Sequence, residues 1–133
     1  MNEPAKKLVI DRLQLLEASV GGYFGSSYNI RIDFLKQETE YTVYDAQFEG
    51  ERKRIIKHKT EDLLEFIVNL NELEITKWKP EYNQCLVLDG TSWSVSIQCK
   101  DEESYGFRGS NEYPEEWNSF CEAVSNLIGD VFS

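Results

Sequence analysis

His58 is the only histidine among 133 residues, so any nucleophile relay in this chain has to pass through it. The thiols available to it are Cys85, Cys99 and Cys121. A thiolate relay needs the imidazole within hydrogen-bond reach of the sulfur and a third group to orient it. Nothing around the three cysteines resembles a nucleophile motif, and His58 reads instead as a partly exposed residue on a basic strand. Zinc would need Cys and His in pairs at short spacing, and the gaps here are far too wide. Carboxylates are scattered along the chain, and no pair has a spacing that marks an acid and a base. The residues therefore point to no catalytic group, no metal site and no cofactor.

Two glycine-containing segments carry the remaining candidates. Gly21, Gly22 and Gly25 invite a phosphate-loop reading, but the Lys-Ser/Thr ending is missing and no helix opens after them. A connection between two antiparallel strands accounts for them better. Tyr23 and Phe24 would then sit on a loop able to act as an adaptable contact surface. The second segment, Gly106-Phe107-Arg108-Gly109-Ser110-Asn111-Glu112-Tyr113-Pro114, puts a donor (Arg108), an amide (Asn111), a carboxylate (Glu112) and an aromatic (Tyr113) close together. Strand-to-helix chemistry explains most of it: Gly109 relaxes the strand exit, Asn111 forms a side-chain turn and Pro114 starts the helix. The binding candidates are thus Tyr23, Phe24, Arg108, Asn111, Glu112 and Tyr113.

Charge narrows the partner class. Twenty-four acidic residues against fourteen basic give a net charge of -10. Such a field repels phosphate backbones and anionic membrane surfaces, and attracts basic proteins. Acidity is also common in cytosolic proteins simply because net charge maintains solubility. One basic island, Arg52 to Lys59, stands out; alternation spreads its charges over both faces, which suits an edge strand and not a nucleic-acid stripe. The start of the chain has no apolar signal-peptide core, and no run approaches the ~18 apolar residues of a membrane span. An odd number of cysteines without CxxC spacing fits reduced thiols in a cytoplasm.

The elements that must position these residues follow from periodicity. Leu8 to Leu16 is ambiguous, because Val9, Leu13 and Leu16 would share a helical face while Val9, Leu13 and Leu15 alternate; the β-branched Val9 and Ile10 favour strand. Tyr28 to Phe34 alternates as a half-buried strand, and strands follow at Tyr41 to Phe48 and Arg52 to His58. Thr60 is placed to cap a helix whose apolar stripe is Leu63, Phe66, Ile67, Leu70 and Leu73. Cys85 to Leu88, Asp89-Gly90 and Thr91 to Ile97 read as a hairpin with a type I′ turn. That register points Cys99 into the core with Trp93 and Ile97 and Cys85 the other way, so no disulfide is expected. A short strand spans Ser104 to Arg108, and a last helix opens at Pro114 with Trp117, Phe120, Cys121, Val124, Leu127 and Ile128 buried and Gly129 as its stop.

At 133 residues the chain reads as a single α+β domain, 1–133: an antiparallel β-sheet of about six or seven strands with two amphipathic helices packed on one face. The 41% hydrophobic and 13% aromatic content supplies the core of an ordered chain.

The run Leu88-Asp89-Gly90-Thr91-Ser92-Trp93, followed by Gly109-Ser110-Asn111-Glu112-Tyr113-Pro114, resembles a family of small uncharacterised bacterial proteins. These share an LDGxxW hairpin and a GSNxYP helix-start motif, and the segment from Gly21 to Tyr28 is similar to their N-terminal glycine loop. The resemblance spans about two thirds of the chain and implies the architecture and a bacterial cytoplasmic origin, with no activity, cofactor or catalytic residue.

Two functions are expected. The first is a non-enzymatic protein-binding domain, of an immunity or regulatory type, recognising a basic partner. Its steering charges would be acidic clusters beside aromatics: Glu38 and Glu40 by Tyr41, Asp101 to Glu103 by Tyr105, and Glu112 by Tyr113. The alternative is a small-ligand-binding domain or small enzyme using a pocket near loops 21–27 and 108–113.

Overall fold

The alternation of apolar and polar residues builds one seven-stranded sheet. The computed structural model describes residues 6–22, 25–45, 50–83 and 90–133. Its elements are β1 (Leu13–Gly22), β2 (Ser27–Asp33), β3 (Glu38–Asp45), β4 (Gly50–Lys57), α1 (Thr60–Glu72), β5 (Glu81–Asn83), β6 (Thr91–Cys99), β7 (Ser104–Ser110) and α2 (Trp117–Ile128). Short 3₁₀ turns span Ile10–Arg12 and Ile75–Lys77. The strand order is β4-β3-β2-β1-β6-β7-β5. Every neighbouring pair is antiparallel except β5 with β7, which is parallel. The architecture is the expected α+β, with a mixed sheet where a purely antiparallel one was expected.

One face of the sheet carries the core and the other is open. On β2, Ile30 and Ile32 are buried between exposed Asn29 and Arg31; on β6, Trp93, Val95, Ile97 and Cys99 are buried between exposed Ser92, Ser94, Ser96 and Gln98. Burying a large aliphatic or aromatic side chain contributes roughly 1.5–3 kcal/mol, so a one-residue slip of either strand would forfeit its whole contribution. β1 holds the one irregularity that obscured its sequence pattern. Its pairing with β6 shifts between Leu13 and Leu15, so Leu13 and Leu16 are both buried at a spacing that imitates a helix. A bulge of this kind re-aims one side chain without ending the strand.

Both helices lie on the buried face. α1 contributes Leu63, Phe66, Ile67 and Leu70, and α2 contributes Trp117, Phe120, Cys121, Ala123, Val124 and Ile128. Trp78, from the link after α1, sits among Trp93, Phe107, Trp117 and Phe120 at ring separations of 6.1, 5.8, 6.3 and 5.7 Å. Phe132, beyond α2, is also buried and packs edge-on against Phe120 at 6.2 Å. Tyr41 donates its hydroxyl hydrogen to the Val131 carbonyl, and burial foremost pushes its pKa up to about 12.

Several boundaries differ from the expected ones. Thr60 is the first residue of α1 and not its cap; the cap position is Lys59, with no side-chain hydrogen bond, and the Thr60 hydroxyl accepts from Gln37 Nε2 at 2.8 Å. α2 begins at Trp117, because Pro114 instead accepts a turn hydrogen bond from the Trp117 amide at 3.0 Å. Gly129 does end α2, at φ 68°, with its amide bonded to the Ser125 carbonyl at 2.9 Å. Gly21 and Gly22 are not loop residues: they finish β1, paired with Ser27 and Thr91. The expected first hairpin arm, Cys85 to Leu88, lies outside the described residues. β6 has both edges occupied, by β1 and β7, so its hairpin neighbour is β7.

Candidate functional site

The segment at 108–113 is divided between two faces. Arg108 stands on the open face of β7, where its guanidinium donates to Glu81 at 2.7 and 3.2 Å. Asn111 sits at φ 59°, a left-handed conformation that asparagine tolerates. Its Oδ1 accepts from the Thr91 amide at 3.0 Å and its own amide donates to the Thr91 carbonyl at 2.9 Å. Its Nδ2 is buried without a hydrogen-bond partner among the described residues. The Glu112 carbonyl accepts from Trp93 Nε1 at 2.8 Å, and Tyr113 stacks on Trp93 at 6.4 Å and 19°. These contacts fix the approach to α2, and they separate Arg108 from Tyr113 by the thickness of the sheet. Tyr23 and Phe24 lie outside the described residues. Ser26 lines a hollow beside Tyr28 and Arg52, whereas Arg108 and Ser110 line a different one, of about 400 Å³, with Ser19, Ser92 and Ser94.

Two of the three acidic clusters expected to steer a partner are compensated within the chain. Glu38 and Glu40 face away from the buried Tyr41 and pair with Lys57 at 3.6 Å and Lys53 at 2.9 Å. Asp101 and Glu103 share Arg12, which lies 2.9 Å from Glu103, and Glu103 also takes Lys6 at 2.5 Å and the Tyr105 hydroxyl. Their hydrogen bonds, first to Arg12 for Asp101 and to Lys6 for Glu103, hold both carboxyls below the usual range. Surface pairs of this kind contribute little to stability, but they cancel the local field. The basic strand β4 is the sheet edge that its sequence suggested, with Lys53, Arg54 and Lys57 each paired to a carboxylate.

One concentration of uncompensated acidity lies on α1. Neither α1 nor α2 contains a lysine or arginine. α1 carries Glu61, Asp62, Glu65 and Glu72, and none of them forms an ion pair among the described residues. Glu61, Leu64, Glu65, Val68 and Glu72 recur at three- and four-residue spacing, which aligns them on the side of the helix opposite its buried stripe. Leu64 is 43% exposed and Val68 53%. An apolar pair flanked by unpaired carboxylates has the composition of a contact surface with a charged rim. Sequence reasoning did not single these residues out, although the helical periodicity of 60–72 implies them as the complement of the buried stripe.

The groups that could perform chemistry are otherwise engaged. His58 Nε2 lies 2.6 Å from the Thr39 hydroxyl. Cys99 and Cys121 are free and buried. Burial raises the pKa of both thiols, that of Cys121 to about 12, the reverse of what an activated nucleophile requires. Cys85 lies outside the described residues. Among the described residues no group of three or more His, Cys, Asp and Glu side chains is placed to hold a metal ion, and no helix is long and apolar enough to cross a membrane. No protein-family model matches this chain, and comparison with curated proteins finds no match.

Proposed function

We propose that the protein is a non-enzymatic binding domain, of an immunity or regulatory type, that recognises a basic protein partner through the outward face of α1. The observation that carries this reading is the alignment of exposed Leu64 and Val68 with carboxylates that have no cation to pair with in either helix. Desolvated apolar contacts at the centre of an interface supply affinity, and surrounding charge supplies steering and selection of the partner's sign. The compensation of Glu38, Glu40, Asp101 and Glu103 supports the same assignment, since it weakens the field of those clusters while the carboxylates of α1 keep theirs.

Affinity capture from the native lysate tests it, with the unaltered chain compared against a Leu64→Ala, Val68→Ala double variant. Both side chains are exposed, so the variant retains its fold. A basic protein held by the first and lost from the second is the expected result. Capture of no basic protein, or equal capture by both, overturns the reading.

A further inference from the structure

A hollow of about 660 Å³ lies between the outer strands of the sheet and the turn that follows α2, within the size range of small-molecule sites. Strand register builds its floor. Val20, Tyr28, Val43 and Arg52 are successive partners across β1, β2, β3 and β4. Strand pairing places all four on the helix-bearing face. Tyr28 and Val43 are half-buried and line the hollow, and Arg52 stands at its outer end.

The cations around it are not equivalent. Arg54 is engaged three ways: it lies over the Tyr41 ring at 6.0 Å, donates to the Ile128 carbonyl at 3.3 Å and pairs with Asp130 at 3.2 Å. Lys53 is paired with Glu40. Arg52 has no ion pair or hydrogen bond among the described residues. An apolar floor therefore ends at a guanidinium that is unpaired among the described residues, in a chain whose net charge is -10.

We propose that this hollow binds a small aromatic carboxylate, with its ring on Tyr28 and Val43 and its carboxylate on Arg52. The planar guanidinium matches a carboxylate in a two-pronged hydrogen-bonded pair, and an aromatic floor accepts a flat body. A phosphate dianion fits less well, because among the described residues a single unpaired cation faces it and the carboxylates of Asp45 and Asp130 stand on the rim.

Amide proton–nitrogen correlation spectra of the whole chain, titrated with benzoate, indole-3-carboxylate, benzamide and phenyl phosphate, decide the matter. Benzoate and indole-3-carboxylate should each shift the Tyr28, Val43 and Arg52 signals saturably. Benzamide and phenyl phosphate should bind more weakly than benzoate. Arg52→Gln should weaken benzoate binding by about tenfold, the loss expected when a charge-assisted pair is removed. Arg52 is exposed, so this variant keeps its fold and its own spectrum verifies that. Absence of saturable shifts with both carboxylates overturns the proposal, as does benzamide binding as tightly as benzoate or Arg52→Gln behaving as the unaltered chain. Tighter binding of phenyl phosphate than of benzoate overturns the carboxylate assignment.

Discussion

The Thr39 hydroxyl, on a residue with no exposed surface, lies 2.6 Å from Nε2 of His58. A buried hydroxyl without a partner costs on the order of 1–3 kcal/mol. The single histidine therefore has a structural role, satisfying the inner edge of β3 from just beyond β4. Burial lowers the His58 pKa, against a smaller opposing effect of Asp62. The folded state therefore resists protonation more than the unfolded chain, whose histidine titrates near 6.5. Above that pH both states are neutral and the shift contributes nothing. As pH falls through about 6.5 the unfolded chain takes up its proton first, and stability declines until the folded state also protonates. The urea midpoint should fall between about pH 7.5 and 5.5, and this decline should be absent in His58→Gln. A midpoint that is flat or rises over that interval contradicts the assignment.

Trp117 and Phe120 anchor α2 in the aromatic centre, with rings 5.5 Å apart and exposures of 7% and 0%. Truncating either to alanine should cost about 3–5 kcal/mol, the range for buried aromatics. Urea unfolding measures it, and a loss below about 1 kcal/mol would show that the helix is not held by this stripe.

Gly109 has no room for a side chain. A Cβ at this position would come within 2.4 Å of Trp93 Nε1 and 2.7 Å of the Tyr82 carbonyl oxygen. The indole cannot swing aside cheaply, because Nε1 is hydrogen-bonded to the Glu112 carbonyl, and the second obstacle is backbone. Gly109→Ala should therefore destabilise by about 1–3 kcal/mol through overpacking, whereas Gly106→Ala, with nothing within 4 Å, should be tolerated. Equal effects in the two variants would contradict the close approach.

The buried thiols should be inert in the folded state. Cys99 and Cys121 are 6% and 7% exposed, and burial foremost pushes both pKa values up. Alkylation at about pH 8, close to the ordinary thiol pKa, followed by peptide mass analysis should label both slowly in native protein and fully after unfolding. Rapid native labelling of Cys121 would mean that α2 opens readily.

How far the sequence was legible depended on whether a residue's role was local. Alternation in β2 and β6 and the apolar stripes of both helices were readable, because each follows from the period of its own element. β1 was ambiguous because its bulge, defined only by pairing with β6, makes Leu13 and Leu16 mimic a helix. The β5 strand was missed: three residues, Glu81 to Asn83, have too short a pattern, and their pairing with β7 is parallel and non-local. Gly109 was read as a strand exit because its real constraint, the indole of Trp93, comes from another strand. The candidate site failed in the same way. Glu40 and Asp101 looked like free charges beside aromatics, and their compensation by Lys53 and Arg12 appears only after the strands are paired.

That compensation separates carboxylates that should steer a basic partner from those that should not. Steering depends on the summed long-range field, so reversal of an unpaired carboxylate changes it more than reversal of one already neutralised by a neighbour. Glu65 of α1 has no ion pair among the described residues and flanks Leu64 and Val68, whereas Glu40 on the open sheet face is paired with Lys53. With a basic partner captured through α1, Glu65→Lys should slow association more than it speeds dissociation, because rim charges act mainly on the encounter. Glu40→Lys changes the net charge equally but lies on the opposite face, so it should slow association less. The association rate of the unaltered chain should fall steeply as salt is raised from low to physiological ionic strength, and that of Glu65→Lys less steeply. Stopped-flow or surface-based kinetics on the two variants distinguishes these effects. Equal slowing by both would assign the attraction to net charge alone, and a salt-independent association rate would exclude electrostatic steering by α1.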